Sequence, residues 1–236
     1  MSFKFPRPAR GWPEFIDDVA IVVVGVILAL AAQEFVGGLH QRGAYQETRR
    51  NVFDEVAHNL GRLNQRLGTQ ACINDRLRAL QLLIAARTPL PRPLWVGRPQ
   101  IWSNDSGRWQ AALAGQLQDA FSSDELARLS NLYATFDRLW ELQADEQRAW
   151  GRLRTMENVT AIDRQLQDEL ILALQQARLS NYQLHVGITQ TLDSAAKLGI
   201  RPIRGETRGS LSVCLPLRVD RTDALRRIGR SENEEP

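Results

Sequence analysis

Hydrophobic residues recur with helical spacing along most of the chain, and one stretch near the start contains no polar residue at all. Val19 to Ala32 reads VAIVVVGVILALAA, and further apolar residues lie on both sides of it. A helix from Phe15 to Val36 would be about 33 Å long, slightly more than the roughly 30 Å hydrocarbon core of a bilayer. We therefore predict a transmembrane anchor over residues 15–36, preceded by a short arm over residues 1–14.

Two other interpretations of this stretch stay open. Ala29-Leu30-Ala31 resembles a signal-peptide cleavage site, and a buried helix of a soluble domain can also be strongly apolar. The acidic residues Glu14, Asp17 and Asp18 stand where a signal peptide carries positive charge, and the helical pattern continues past the cleavage site. An uncleaved anchor is therefore favoured over a cleaved signal or a buried helix.

The residues after the anchor predict a long amphipathic helix followed by an irregular segment. Over residues 44–87 apolar positions recur in steps of three and four, with a kink expected near Gly68. Four prolines within residues 89–99 then disfavour a sustained helix. Trp95 and Trp102 lie in or just after this segment, so we expect it to pack against the domain rather than to extend into solvent.

Two further long helices are predicted in the second half of the chain. Ser122 and Glu125 form an S-x-x-E capping box at the start of one, and the other runs from near Thr160 to Gly199. Both show apolar residues in steps of three and four. The buried face predicted for the first of them comprises Leu126, Leu129, Tyr133, Phe136, Trp140, Gln143, Gln147 and Trp150.

Together these elements predict an all-α fold, in which the transmembrane helix continues into an antiparallel helical bundle. The bundle domain is expected over residues 37–217. It ends in an irregular C-terminal strap whose last part, LSVCLPL at Leu211 to Leu217, has the composition of a short strand. Residues 218–236 are predicted to be a charged tail.

The cysteines suggest the compartment. Basic residues are nearly balanced before and after the anchor, so the positive-inside rule does not fix the orientation. Cys72 and Cys214 are the only cysteines, which fits one disulfide in an oxidising periplasm, although two buried free thiols are the alternative. We predict a bacterial inner-membrane protein with a cytoplasmic N-terminus, a single span and a periplasmic main domain tied by Cys72 and Cys214.

Charge and motifs argue against several function classes. The net charge is only +3, which gives little support to nucleic-acid binding. His40, His58 and His185 have no partner at metal-ligand spacing, and the chain contains no P-loop, nucleophile elbow or dinucleotide-binding motif. We therefore predict no nucleic-acid partner, no metal, no cofactor, no catalytic residue and no enzymatic activity.

Three features are candidates for binding. Gly25 and Ala29 have a small-xxx-small spacing that allows two membrane helices to approach closely. Glu34 lies either in the apolar layer, where it would require a partner helix, or among the lipid head groups. A basic C-terminal segment offers contacts to anionic lipid or an acidic partner, with a solvated tail as the alternative; its candidate residues are Arg218, Arg221, Arg226 and Arg227.

The combination of segments resembles a known group of proteins. The stretch from Glu14 to Glu34, ACINDRL at Ala71 to Leu77, SGRWQAAL at Ser106 to Leu113 and SVCLPL at Ser212 to Leu217 resemble a group of uncharacterised single-span proteobacterial membrane proteins. The resemblance implies an N-terminal anchor and a cysteine-tied helical domain. It implies no activity and no catalytic residues.

The sequence thus predicts a membrane-anchored periplasmic scaffold or accessory subunit that acts by protein-protein interaction. Its expected partners are membrane lipid and either another inner-membrane protein or a second copy of the chain. The alternative is a periplasmic sensor that binds a small molecule near Trp109, Trp140 or Trp150 and signals through a membrane partner.

Overall fold

The computed structural model describes residues 12–86, 89–115, 117–203 and 212–229, and these are mostly helical, with no strand among them. The predicted all-α class is therefore confirmed. Within these ranges the α-helices are α1 (Trp12–Gly68), α2 (Gln70–Ala86), α3 (Gly107–Ala114), α4 (Ser123–Leu153), α5 (Arg164–Ala196) and α6 (Arg221–Arg227). Short 3₁₀ helices cover Leu117–Ala120, Arg154–Glu157 and Ser212–Cys214.

The chain divides into two compact units, Met1–Arg49 and Arg50–Pro236. The sequence placed the domain boundary earlier, after Val36. The later division reflects the continuity of α1, which runs unbroken through Gly37 and Gly38. The first residues of the chain, up to residue 11 of the predicted arm, lie outside the described residues.

The apolar part of α1 in the first unit is long enough and apolar enough to cross a membrane. Within the helix from Val19 to Gly68, the mean hydropathy of the most apolar window of 18 residues is 2.5, and none of that window is buried. Ile21, Leu28 and Leu30 each expose 60% or more of their surface. This agrees with the predicted anchor by length and composition.

The predicted break near Gly68 is confirmed. Helix α1 ends at Gly68 and α2 begins at Gln70. The residue between them, Thr69, donates a hydrogen bond from its hydroxyl to the carbonyl of Arg66, 2.8 Å away. This bond satisfies one of the carbonyl groups that a helix end leaves without a partner.

The first of the two later helices begins as the sequence predicts, whereas the second begins at Arg164, four residues after the predicted start near Thr160. Ser122 and Glu125 form a reciprocal capping box at the start of α4. Asp163 caps α5 through its carboxylate, which accepts a hydrogen bond from the backbone N–H of Leu166. After α5 the chain reverses at Gly199, whose φ of 73° lies in the left-handed region that favours glycine.

Helices α4 and α5 pack closely against each other. The first half of α4 and the second half of α5 share one apolar cluster, and the end of α4 and the start of α5 share another. The two helices therefore run in opposite directions. At Gly187 the approach is so close that a Cβ atom would stand 2.8 Å from Leu139 Cδ2. A third cluster joins Trp95 to Leu215, Val219, Ala224 and Leu225.

The predicted buried face of α4 is wrong at one position. Trp140 is 41% exposed, whereas its neighbour Leu139 is 2% exposed and faces Gly187 of α5. Both residues fit a step of three or four after Phe136, so the sequence pattern alone does not distinguish them. Leu139 fits at the close approach to Gly187, whereas the larger side chain of Trp140 is partly exposed to solvent.

Two predictions for the C-terminal segment also need correction. The described part of the LSVCLPL stretch contains no strand, because Ser212–Cys214 forms a 3₁₀ turn. The predicted domain end at Leu217 lies too early, since Val219, Ala224 and Leu225 are buried beyond it. The buried apolar face of α6 explains this continuation. Residues 230–236 of the predicted tail lie outside the described residues.

The proline-rich segment packs down as predicted. Trp95 is 1% exposed and Trp102 is 9% exposed. A short helix, α3, follows it. The buried carboxylate of Glu55 on α1 accepts hydrogen bonds from the backbone N–H groups of Arg108 and Trp109, and so caps the N-terminal end of α3.

Candidate functional site

The second unit, Arg50–Pro236, is called the folded unit below. It contains a buried ion pair between helices α1 and α4. Nη2 of Arg66 lies 2.7 Å from Oε1 of Glu146, and their side chains are only 2% and 0% exposed. Burial of such a pair is costly unless further hydrogen bonds satisfy both groups. The sequence analysis did not single out either residue, because a charged residue on an amphipathic helix ordinarily faces solvent.

Amide side chains from α2 and α5 extend this pair into a polar network. Nη2 of Arg66 also lies 2.8 Å from Oδ1 of Asn181, and Nη1 lies 3.3 Å from Oε1 of Gln70. Nδ2 of Asn181 in turn donates to Oδ1 of Asn74 at 3.0 Å. The guanidinium of Arg66 therefore connects four helices through hydrogen bonds.

Several polar atoms at this network have no protein partner. Within the described part of the chain, buried side-chain atoms without a hydrogen bond are Arg66 Nε, Glu146 Oε2, Gln147 Oε1 and Trp150 Nε1. All of them lie on Arg66 or on one short stretch of α4. Burial raises the pKa of the Glu146 carboxyl, and the nearby guanidinium of Arg66 opposes that shift.

A cavity of about 350 Å³ lies beside Arg66. It is lined by Arg62, Gln65 and Arg66 of α1, by Thr69 directly after α1, and by residues 100–103 of the segment before α3. Arg62 lies three and four positions before Gln65 and Arg66, so these three residues share one side of the helix. This cavity is the candidate site for a small ligand.

A second buried arginine holds the loops at another place in the folded unit. The guanidinium of Arg76 on α2 donates to the backbone carbonyls of Trp95, Val96, Val213 and Leu215. Burial lowers the pKa of Arg76 to about 10, with Glu157 opposing the shift, so the group stays protonated at neutral pH. Glu157 itself accepts hydrogen bonds from the N–H groups of Val96 and Gly97.

The predicted cysteine pair lies next to Arg76, whose hydrogen bonds to the four loop carbonyls are called the Arg76 clamp below. Cys72 and Cys214 form a disulfide with their Cα atoms 5.0 Å apart. Cys72 precedes Arg76 by one helical turn, so the bridge and the guanidinium hold the same C-terminal segment to α2. The strap is thus fixed to the helix by one covalent link and by hydrogen bonds.

The candidate residues of the anchor lie in the first unit, and the cysteines lie in the folded unit. Gly25 and Ala29 are exposed, and a Cβ atom built on Gly25 would meet nothing within 4 Å. Glu34 is exposed as well. These residues therefore occupy an exposed surface of α1.

The four arginines of the predicted basic segment are exposed on or just before α6. Arg227 forms an ion pair with Asp223 at 2.7 Å, which reduces the charge that this residue offers to a partner. Arg221 also has an interaction partner. Arg218 and Arg226 remain exposed cations on the same short segment.

The tryptophans proposed as ligand contacts occupy different environments. Trp109 stacks on Tyr133 with ring centroids 5.1 Å apart, and Trp150 is wholly buried in the second cluster. Trp140 is partly exposed and does not line the cavity beside Arg66. Of the tryptophans, it is Trp102 that lines this cavity. The ligand location expected from the sequence, near Trp109, Trp140 or Trp150, does not coincide with that cavity and stays a prediction.

Glu55 on α1 is a second buried carboxylate of the folded unit. It is 7% exposed and accepts a hydrogen bond from the hydroxyl of Tyr133 at 2.6 Å. Burial and this hydrogen bond raise the pKa of Tyr133. The Glu55 carboxylate is thus a packing and capping group.

Residues 12–86, 89–115, 117–203 and 212–229 contain no group of three or more histidine, cysteine, aspartate or glutamate side chains placed to hold a metal ion. No family model, no curated protein and no solved structure matches the chain.

Proposed function

We propose that this protein is a single-span membrane protein whose helical domain acts by binding other proteins, as a scaffold or accessory subunit. The observation that carries the proposal is the fully exposed apolar stretch of α1 in the first unit. Every residue from Val19 to Val36 is exposed, including Val22 at 64% and Phe35 at 69%. An apolar surface of this extent is unfavourable in water and matches the interior of a bilayer.

The same stretch offers a surface to a second membrane helix. Gly25 and Ala29 lie one helical turn apart on one face, and nothing occupies the space in front of Gly25. Small residues at this spacing let helix backbones approach closely within lipid. We infer that the partner, another inner-membrane protein or a second copy of this chain, contacts the anchor on this face, with Glu34 near the head groups.

The disulfide supports a periplasmic location for the folded unit. Bridges such as Cys72–Cys214 persist in oxidising compartments and are rare in the cytosol. In this proposal the helices form an antiparallel bundle, with the C-terminal segment as a strap, and the residues before the anchor stay in the cytoplasm. Arg218 and Arg226 supply exposed positive charge for anionic lipid or an acidic partner.

Membrane attachment and partner contact can be tested separately. After expression in a bacterial host, the chain should remain in the membrane fraction through an alkaline carbonate wash. Recovery in the soluble fraction, or a mature N-terminus at Ala32, would contradict the anchor. A maleimide reagent that does not cross the inner membrane should label a cysteine introduced at exposed Leu82. Labelling only after lysis would contradict the orientation.

The helix contact needs variants in the anchor itself. Replacing Gly25 and Ala29 by leucine should abolish a cross-linked complex seen in mild detergent, because the larger side chains keep the helices apart. The matched control replaces Val23 and Ile27, two positions away along the same helix, by leucine. Equal loss in both double variants would mean that the contact does not use the Gly25 face.

A second candidate function is a small-molecule sensor, favoured by the cavity beside Arg66. In this proposal the ligand would be recognised in the folded unit and the response would pass through a membrane partner. A ligand that stabilises the purified full chain while leaving its partner stoichiometry unchanged would favour the sensor without removing the anchor.

A further inference from the structure

The cavity beside Arg66 combines one helix face with one loop. Arg62, Gln65 and Arg66 come from α1, Thr69 directly follows it, and residues 100–103 complete the lining. The two arginines are four positions apart, which corresponds to about 6 Å along a helix. The cavity therefore presents two guanidinium-bearing residues of one helix face to the same space.

The loop that covers the cavity is held in place by hydrogen bonds to α1 and α4. Gln143 accepts a hydrogen bond from the N–H of Trp102 and donates one to its carbonyl, both at 3.0 Å. Gln147 donates to the carbonyl of Pro99 at 3.2 Å, and Arg62 donates to that of Ser103 at 3.0 Å. A loop fixed by its backbone on both sides preorganises the cavity that its side chains line.

Positive charge dominates the lining of the cavity. Its lining residues include two arginines and no aspartate or glutamate. The carboxylates that balance them, Asp105 at 2.8 Å from Arg62 and Glu146 at 2.7 Å from Arg66, are not lining residues. Arg66 is also almost wholly buried, and its Nε has no hydrogen-bond partner. Arg62, by contrast, has a side chain that is 34% exposed, so its guanidinium can reach an oxygen acceptor in the cavity, most strongly a charged one.

The size and the remaining lining define the rest of the ligand. A volume of about 350 Å³ falls within the range of cavities that hold small organic molecules and exceeds what a single inorganic anion fills. Ile101 and Trp102 supply apolar surface, while Gln65 supplies an amide. We propose that this cavity binds a small organic carboxylate, with Arg62 as the anion-binding residue. The inference goes beyond membrane attachment and holds whether or not the chain crosses a bilayer.

The test uses the full chain in detergent and glutarate as the probe, because glutarate is a small flexible carboxylate whose diamide has the same length and no charge. Binding is measured by saturation-transfer NMR and titration calorimetry at low salt, where charge interactions are least screened. Glutarate should bind more tightly than about 1 mM. The neutral diamide of the same length should bind much more weakly, and sulfate should not displace glutarate.

Variants locate the site. Arg62→Gln should weaken glutarate binding at least tenfold, roughly the effect of one lost hydrogen bond to a charged group. The matched control is Arg138→Gln, an exposed arginine on α4 outside this cavity, which should keep the wild-type affinity. If Arg62→Gln lowers the cooperativity of thermal unfolding, Ser103→Leu provides the second variant, because it fills the cavity from an exposed loop position and should also abolish binding.

Three outcomes would overturn the proposal. One is the absence of saturable glutarate binding to the wild-type chain. Another is equal affinity of the wild type and of a folded Arg62→Gln or Ser103→Leu variant. The third is full displacement of glutarate by sulfate, which would mean that the cavity accepts any anion. None of these outcomes alters the membrane fractionation result, so failure here and failure of the anchor are distinguishable.

Discussion

Two arginines of the folded unit are buried to nearly the same extent but are neutralised in different ways. Arg66 is 4% exposed and Arg76 is 5% exposed. Arg66 meets a carboxylate, Glu146, together with amide oxygens of α2 and α5. Arg76 donates its hydrogen bonds to backbone carbonyls of the proline-rich segment and of the C-terminal segment, and the carboxylate of Glu157 opposes the effect of burial on its pKa. One cation therefore joins helices, whereas the other joins loops to a helix.

The difference shows which kind of contact each guanidinium makes possible. Helix backbones have already used their carbonyls within the helix, so a buried cation between helices needs side-chain acceptors such as Glu146 and Asn181. Loop backbones leave carbonyls without partners, and the planar fork of Arg76 can satisfy several of them at once. The helical centre thus depends on a pair of charges, and the loop end depends on one charge and a disulfide.

The largest expected effect is the loss of the cation at the helical centre. Arg66→Met leaves Glu146 buried without its partner, so the free energy of unfolding should fall by about 4 kcal/mol. Urea unfolding of the full chain in detergent, followed by tryptophan fluorescence, measures it. Replacing Glu146 by leucine in the same chain should restore most of the loss, because the uncompensated charge is then gone. If Arg66→Met alone were as stable as the wild type, the pair would not be buried.

The next largest loss of stability is expected where the loops are held to α2 by Arg76 and the disulfide. Replacing both Cys72 and Cys214 by alanine removes a bridge that spans 142 residues of sequence, and should lower the free energy of unfolding by about 3 kcal/mol. Hydrogen exchange should become faster at residues 213–217, while the amides around Arg66 and Glu146 keep their protection relative to global unfolding. An equal increase in exchange rate in both regions would mean that the disulfide does not stabilise the C-terminal segment locally.

A smaller effect is expected for a charge-conserving change at the clamp. Arg76→Lys keeps the positive charge but cannot reach four carbonyls with one ammonium group, so a loss of about 2 kcal/mol is expected. The matched control is Arg78→Lys two residues later, where the side chain is 71% exposed and the loss should be close to zero. Equal losses at the two positions would mean that the carbonyl contacts contribute little.

The sequence predicted the elements of this fold better than their contacts. The capping box at Ser122, the break at Gly68 and the turn at Gly199 were correct because each depends on a few adjacent residues. The choice between Leu139 and Trp140 depended on Gly187, far along the chain, and was wrong. Local chemistry is visible in the sequence, whereas the partner of a helix face is not.

The candidate site was not predictable for the same reason. Arg66 and Glu146 belong to an arginine-rich chain with many carboxylates, and nothing in their neighbourhoods marks them as buried. Four unpartnered polar atoms became apparent only after α1 and α4 were placed side by side. The cysteine pair was predictable because the chain has only two cysteines, while the Arg76 clamp beside it was not, since its acceptors are backbone atoms.

The smallest expected effect is a dependence on pH that separates the two arginines. Burial raises the pKa of Glu146 above its ordinary value of 4.5, so the folded chain binds that proton more tightly than the unfolded chain does. The free energy of unfolding should therefore fall as pH rises from 4.5 through the raised pKa, by less than about 1.4 kcal/mol per pH unit. Arg76 stays protonated over this range, because its pKa is about 10.

Urea unfolding of wild type and variants at a series of pH values tests this contrast. The wild type and Arg76→Lys should show the same decrease with rising pH, since the clamp does not titrate there. Glu146→Gln should lack the decrease, because the titrating carboxyl is gone while the shape of the side chain is kept. A rise in the stability of the wild type over the same interval would mean that Arg66 outweighs burial and lowers the pKa of Glu146. In that case the ion pair would stabilise the helical centre near neutral pH. The regions around Arg66 and Arg76 would then both keep their stability as the pH rises towards neutral.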